Sequence, residues 1–233
     1  MVQGRCQLSV VVPSYCGAAS LPELLSRLGC VLDGLRLTFE VIVVDDASPD
    51  ETAALAGRLL RQHSWLRYER LPVNGGQHAA TVHGLRLAQG ATLVTMDDDL
   101  QQAPESIPLL LAGLTPGVDV TIARFGRSAH PWLRRWASHA YRMLSQAGRA
   151  RRIAITSFKA MRRPAVERLL AAVPPGQPFT LGVVLLATTA AARVVNVDVT
   201  HHPRRHGHSG YGWRSLLAMA RQGLATRARL ARR

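Results

Sequence analysis

The sequence predicts an α/β domain built on a mostly parallel sheet flanked by helices, and three observations carry that prediction. Strand-like and helix-like segments alternate four times over the first hundred or so residues. The strand-like segments are short, continuous apolar runs of the kind found in strands covered on both faces. Three of them end in polar clusters, Pro13-Ser14-Tyr15, Asp45-Asp46 and Asp97-Asp98-Asp99. Chain alternation brings those clusters to one edge of the sheet, where the ligands of open α/β sheets sit. A chain of 233 residues buries a full core, and one domain is the economical expectation.

Each element has its own signal. Leu8–Val12 is an uninterrupted apolar strand closed by Pro13. Apolar residues recur at helical spacing over Leu21–Leu35, with Ser20 placed to cap the helix and Pro22 in its first turn. Phe39–Val44 reads as a second buried strand, Glu51–His63 as a helix, and Leu66–Leu71 as a third, edge-like strand. Asn74–His78 is a turn feeding a helix that runs through Ala88, and Thr92–Met96 is the strand that runs into the three carboxylates. Val118–Ala123 reads as a strand ending at Arg124, and His130–Ala147 as a basic helix. Trp132 and Trp136, spaced i, i+4 on it, read as core. Arg149–Arg152 is a basic turn, solvated or touching lipid headgroups; Thr156–Met161 is short and of either type. Pro164–Val173 is an apolar helix, Pro174–Pro178 a loop, and Val194–Val199 a strand. Trp213–Leu230 is a basic amphipathic helix, expected either in the plane of an anionic membrane or docked on its own domain. The expected division is a domain over 1–212 (a nucleotide half to about 119, an acceptor half from about 120) and a C-terminal helix over 213–233.

Charge is distributed unevenly. Residues 1–119 carry 13 acids and 8 bases, whereas residues 120–233 carry 2 acids and 21 bases. That asymmetry implies an anionic partner: nucleic acid, a phosphorylated substrate or an acidic membrane surface. A nucleic-acid binder would explain the charge but not the acidic strand ends, and no RNA- or DNA-binding motif is present. Cys6, Cys16 and Cys30 have no metal-ligand spacing, which fits a reduced, cytoplasmic setting. No signal peptide is visible, and the most apolar run, Leu181–Ala192, is too short to span a bilayer. The expectation is a cytoplasmic protein, peripheral at most on the inner face of the cell membrane.

The acid triplet at Asp97–Asp99 carries the chemistry. Adjacent carboxylates repel one another, and taking them out of water is costly without a cation. Mg²⁺ or Mn²⁺ is the hard ion that carboxylates select, and it keeps positions open for phosphate oxygens. A solvated acidic turn is the plain alternative, and the buried strand before the triplet argues against it. No Gly-x-Gly-x-x-Gly follows the first strand and no Gly-Lys-Ser/Thr loop is present, so dinucleotide oxidoreductases and P-loop enzymes are disfavoured.

Together these segments resemble family 2 glycosyltransferases of the GT-A fold. The resemblance rests on Val10–Tyr15, Val41–Thr52 and Met96–Gln101, which match that family's nucleotide and metal motifs. Asn74–His78, Asp99–Pro104 and His201–Tyr211 look like its polyprenyl-phosphate branch, which includes dolichol-phosphate mannose synthases and undecaprenyl-phosphate aminoarabinose transferases. The resemblance implies inverting transfer of a sugar from a UDP- or GDP-type donor to a polyprenyl phosphate at an anionic membrane surface. Tyr15 and Asp46 would face the donor's base and ribose, with Pro13, Asp45, Gln77, Asp97, Asp98 and Ser209 also on the donor side. Asp97, Asp99 and Gln101 would hold the metal, and Arg124 and Arg205 would serve phosphates. Thr156–Lys159 falls where relatives usually show Ser-Gly-Phe-Arg in the acceptor-side segment. Two departures are Ser157 in place of that Gly, and Gly210 where a Lys is common; in addition, close bacterial relatives often continue into transmembrane helices.

A phosphate-monoester acceptor has its second pKa near ~6 and is largely a dianion at neutral pH. It needs positioning and cationic walls more than a general base. A hydroxyl acceptor would need a base, with Asp98 or Asp99 as candidates. A transferase acting on a small hydroxyl acceptor is therefore the second reading, and a non-catalytic nucleotide-sugar binder the third. Asp45 could instead cap the following helix, and for Asp46 capping and ligand roles are evenly matched. His201, His202, His206 and His208 read as a flexible basic loop.

Overall fold

The computed structural model describes residues 6–125, 153–173, 179–190 and 193–200, with 225, 226 and 228 beyond them. Seven strands form one sheet: β1 (Leu8–Ser14), β2 (Phe39–Asp45), β3 (Leu66–Arg70), β4 (Thr92–Thr95), β5 (Val120–Phe125), β6 (Lys159–Arg162) and β7 (Val194–Val199). Their spatial order is β3-β2-β1-β4-β6-β5-β7. Every pairing is parallel except those of β6, which runs against both β4 and β5. The carboxyl ends of β1, β2, β4, β5 and β7 and the amino end of β6 therefore share one edge. Thr95 pairs with Lys159, which places the start of β6 beside the end of β4.

The helices are α1 (Leu21–Gly34), α2 (Thr52–Gln62), α3 (Gln77–Leu87), α4 (Ile107–Ala112), α5 (Arg163–Ala172) and α6 (Leu181–Thr188). Successive side chains of a strand point to opposite faces, so Val10 and Val12 join one core while Val11 joins the other. Leu24, Leu25 and Leu28 of α1, Leu59 of α2 and Leu110 of α4 close the first core. Leu85 of α3, Leu169 of α5 and Leu185 of α6 close the second. Burial on both faces explains why β1 and β2 read as unbroken apolar runs.

Several local expectations change. Ser20 precedes α1, but its hydroxyl donates to the Gly17 carbonyl at 3.3 Å and makes no side-chain cap. Asp45 does not cap α2; Asp50 accepts the Thr52 amide at 3.2 Å and its hydroxyl at 2.5 Å. Of the segment 156–161, residues 159–161 belong to β6 and 156–158 lead into it. A 3-10 turn at Pro104–Ser106 leads into α4, whose six residues are too few to show a helical period. The apolar run at 181–192 supplies α6, whose residues Leu181–Leu186 are all buried. Among the described residues, no helix is long and apolar enough to cross a membrane.

Trp132, Trp136, Arg149–Arg152, His201, His202, Arg205, His206, His208, Ser209 and most of the 213–230 segment lie outside the described residues. Thr226 is an exception. It is 1% exposed, and its hydroxyl accepts the Thr180 amide at 3.2 Å, which favours docking on the domain at this point of the segment.

Candidate active site

Three loops at the shared edge each turn through a non-glycine residue in the left-handed region: Cys16 after β1, Ala47 after β2 and Leu100 after β4. Such backbone costs on the order of 1–3 kcal/mol per residue and persists where surrounding contacts enforce it. The contacts here are hydrogen bonds between loops. Asp46 accepts the Gly75 and Gly76 amides, both at 2.7 Å, and its own amide donates to the Ser14 carbonyl at 2.9 Å. Gly76 has φ +82°, a conformation that glycine adopts without steric cost. Asp45 is wholly buried and accepts the Ser48 amide at 2.9 Å and the Tyr68 hydroxyl at 2.5 Å. Burial works against its anion, yet those hydrogen bonds and the Arg70 guanidinium together hold its carboxyl below the usual range. Asp45 thus shapes the β2 loop from behind, while Asp46 lies at the surface of the cleft.

Seven of the residues singled out from sequence meet in one cleft of about 190 Å³: Pro13, Tyr15, Asp46, Gln77, Asp97, Asp98 and Asp99. Tyr15 is half exposed over it. The Ser14 hydroxyl donates to Asp98 at 2.6 Å. A Cβ on Gly17 would collide with Ser14 Oγ and lie 2.7 Å from Asp98 Oδ2, so this hydrogen bond requires glycine there.

Asp97 is the most heavily engaged carboxylate. Gln77 Nε2 donates to its Oδ1, while Gln102 Nε2 at 2.7 Å and Ser157 Oγ at 2.6 Å donate to its Oδ2. Gln102 also accepts the Asp97 amide at 2.9 Å and donates to Ser157 Oγ at 2.7 Å. Burial, with Asp99 nearby, pushes the Asp97 carboxyl up to about 6, against the opposing influence of Ser157, Lys159 and Gln77. Burial, reinforced by Asp97 and Asp99, pushes Asp98 up to about 7. Gln101 gives Asp99 its backbone amide at 3.1 Å. Sequence reasoning had singled out Gln101 and missed Gln102; the hint was that a glutamine at 102 has to sit in the buried turn ahead of Pro104.

Arg124 reaches the same edge at the end of β5, where its guanidinium forks onto Asp198 of β7 at 2.5 and 2.6 Å. The pair is in register across the two strands and solvent-exposed, so it is easily exchanged for another anion. Lys159, which the sequence places in the acceptor-side segment without a role of its own, stands beside the Asp97 network. It is 3% exposed, and its Nζ donates to the Ser157 carbonyl at 3.1 Å and to Thr95 Oγ1 at 3.5 Å.

Among the described residues no three His, Cys, Asp or Glu side chains already converge as a chelating group would. The donor chemistry nonetheless fits a hard divalent ion. Carboxylates crowded and buried enough to rise to about 6 and 7 are relieved by a cation, as an uncharged environment cannot relieve them.

The glycosyl transferase family 2 profile matches residues 9–170. The chain belongs to glycosyl transferase family 2. It is 34% identical over 211 residues to an undecaprenyl-phosphate 4-deoxy-4-formamido-L-arabinose transferase of Aeromonas hydrophila, covering 90% of this chain and 64% of the relative. It is 35% identical over 216 residues to the enzyme of the same name from Pseudomonas aeruginosa, covering 90% of this chain and 62% of that one. The chain thus spans less than two thirds of the length of these relatives. Among solved structures it resembles glucosyl-3-phosphoglycerate synthase of Mycobacterium tuberculosis in complex with Mn²⁺, UDP and phosphoglyceric acid. That match has a TM-score of 0.73 at 22% identity and covers 97% of this chain and 78% of that one. The fold is GT-A.

Proposed function

We propose that this chain moves a sugar, with inversion, from a nucleotide diphosphate sugar to a polyprenyl phosphate, using Mg²⁺ or Mn²⁺. The observation that carries the proposal is the cleft in which Tyr15, Asp46 and Asp97–Asp99 meet at the carboxyl edge of the sheet. The identity to undecaprenyl-phosphate transferases supports the acceptor class.

In this proposal Tyr15 and Asp46 hold the nucleoside. Asp97 and Asp99, with Gln101, would hold the divalent ion, whose charge offsets that building on the departing diphosphate. Gln77, Gln102 and Ser157 fix the Asp97 carboxylate in one orientation, so little reorganisation is left for the moment of transfer. The acceptor phosphate is already anionic near neutral pH, so its oxygen attacks the anomeric carbon without surrendering a proton to the protein. Arg124 can leave Asp198 for a phosphate at little cost, and Arg205 and Ser209 are assigned to the same task. The basic second half faces an anionic membrane surface that presents the acceptor.

One observation favours a second reading. Asp98, at about 7, is half protonated near neutrality and suits a general base for a hydroxyl acceptor. A screen of UDP- and GDP-sugars for metal-dependent turnover, with and without polyprenyl phosphate, separates the two. The proposal expects turnover that rises on adding the lipid phosphate, stops in excess chelator, and is lost in Asp99→Asn with the melting temperature kept. Turnover in excess chelator, or indifference to polyprenyl phosphate with a hydroxyl acceptor consumed, would overturn it.

A further inference from the structure

Asp46 stands out for where its hydrogen bonds go. It is 3% exposed and follows β2 directly, yet it does not hold the start of α2, where Asp50 accepts the Thr52 amide. Its two carboxylate oxygens take the Gly75 and Gly76 amides instead, one each, both at 2.7 Å. Asn74 completes the grip, its Nδ2 donating to the Asp46 carbonyl at 3.2 Å. A carboxylate set against successive backbone amides is held by charge-assisted bonds, which are shorter and stronger than neutral ones. Asp46 thus fixes Asn74–Gly76, the turn that leads into α3.

The residue after Gly76 is Gln77, the first of α3. The Gly76 carbonyl accepts the Ala79 and Ala80 amides at 3.0 and 3.1 Å, so the residue that Asp46 holds is also the one that starts the helix. The Thr81 hydroxyl donates to the Gln77 carbonyl at 2.7 Å and holds that backbone from the helix side. Gln77 Nε2 in turn donates to Asp97 Oδ1. A long side chain such as glutamine's has many rotamers, and it keeps one aim at lower entropic cost when its backbone is fixed. An unbroken series therefore runs from Asp46 through Gly76 and Gln77 to Asp97, and the three side chains in it line one cleft.

We propose that Asp46 is a positioning residue for the acid cluster, in addition to its place on the nucleoside side: by fixing Gly75 and Gly76 it sets the start of α3 and so aims Gln77 at Asp97. This rests on Asp97 holding the divalent ion, as proposed above. Groups that hold a metal-binding side chain from behind typically contribute about 10–100-fold to metal affinity. The consequence is that affinity for the ion depends on Asp46 before any nucleotide is present. A residue that only touches the nucleoside, or only shapes its own loop, has no such effect. Removing a negative charge near the cluster also weakens cation binding, but that effect acts directly through space. The two are separable, because only the first passes through Gln77.

The test measures Mn²⁺ affinity of the full chain without nucleotide, by electron paramagnetic resonance of the free ion. The proteins compared are the wild type, Asp46→Ala, Gln77→Ala and the double variant. Each single change should weaken Mn²⁺ binding about tenfold. Adding Asp46→Ala to Gln77→Ala should cost no more than about twofold further, because residues that act in one series do not add. Asp46→Asn keeps the size and one acceptor oxygen but turns an amino group towards the second amide, so it should lose as much as Asp46→Ala. Far-ultraviolet circular dichroism and Tm report whether each variant keeps its fold, and Asp46→Asn takes the place of Asp46→Ala in the cycle if the latter does not. Unchanged Mn²⁺ affinity in a folded single variant, losses that simply add in the double variant, or failure of both Asp46 variants to fold overturns the inference alone. Failure of the wild type to bind Mn²⁺ overturns the reading of the acid cluster as a metal site, and this inference with it.

Discussion

The Ser157 hydroxyl spans Asp97 and Gln102 at 2.6 and 2.7 Å. A hydrogen bond to an ionised group contributes about 1.5–3 kcal/mol, and this one favours the Asp97 anion. Ser157→Gly should therefore raise the Asp97 pKa further and move the acid limb of the kcat/KM profile to higher pH, with the alkaline limb unmoved. The same carboxylates set a stability profile. Asp97 and Asp98 bind their protons more tightly folded than unfolded, at about 6 and about 7 against a usual 3.8. Their contribution to stability is full below the usual value and is lost as pH rises through 6 and 7. Without divalent ions the Tm should decline from about pH 5 to about pH 8, and Mg²⁺ should restore it at the upper value and not at the lower. A calorimetric series at both values, with and without chelator, would settle the point; a Mg²⁺ effect equal at both would refute it. At this scale the sequence was partly legible. The acid triplet, Tyr15 and Asp46 stand out because polar residues at the ends of apolar runs are conspicuous. Gln102 and Lys159 did not, because what they touch is set by the pairing of β4 with β6, in which Thr95 meets Lys159.

Strand ends behave as units. The loops after β1, β2 and β4 are tied to one another by Ser14–Asp98 and Cys16–Ser48 contacts, and Asp46–Gly75 ties the β2 loop to the turn before α3, so a change in one is felt in the next. Gly17→Ala should push Ser14 off Asp98 and weaken nucleotide binding, while the Leu21 side chain of α1, 3.2 Å from the new Cβ, shifts only slightly. Titration with UDP and GDP should show the loss, while far-ultraviolet circular dichroism stays at the wild-type value. The elements themselves were readable wherever a run was long enough to show a period. β7 was placed at its true bounds, and β3 was placed correctly at an edge. What escaped was short or context-made. α4 has too few residues to repeat, and β6, four residues long, is a strand only because β4 and β5 flank it.

Over the whole molecule, charge and docking pull on different segments. The 21 bases of residues 120–233 predict that the full chain sediments with anionic vesicles at low salt and is released as salt rises, because surface attraction is screened within about 10 Å at 0.1 M. Binding only to neutral vesicles, or binding that salt leaves unchanged, would contradict this. Thr226 sits elsewhere in the balance. Its hydroxyl accepts the amide of Thr180, the residue that leads into α6. Thr226→Val should cost about 1 kcal/mol, or roughly 2–4 °C of Tm for a domain of this size, with vesicle binding unaffected. The amphipathic pattern of 213–230 was visible in the sequence, but a stripe alone does not say what covers it; only the position of Thr226 favours the domain.

The reversed strand β6 has a consequence for how such an enzyme diversifies. Because β5 ends and β6 begins on the same rim, the chain between Phe125 and Ile153 departs from and returns to one side of the sheet. Its length is not constrained by the strand register, unlike that of a crossover, which must span the sheet. Insertions or exchanges between those two ends leave the seven-stranded frame and the acid cluster unchanged. A lineage can edit that one excursion and keep the pairing of every strand around it.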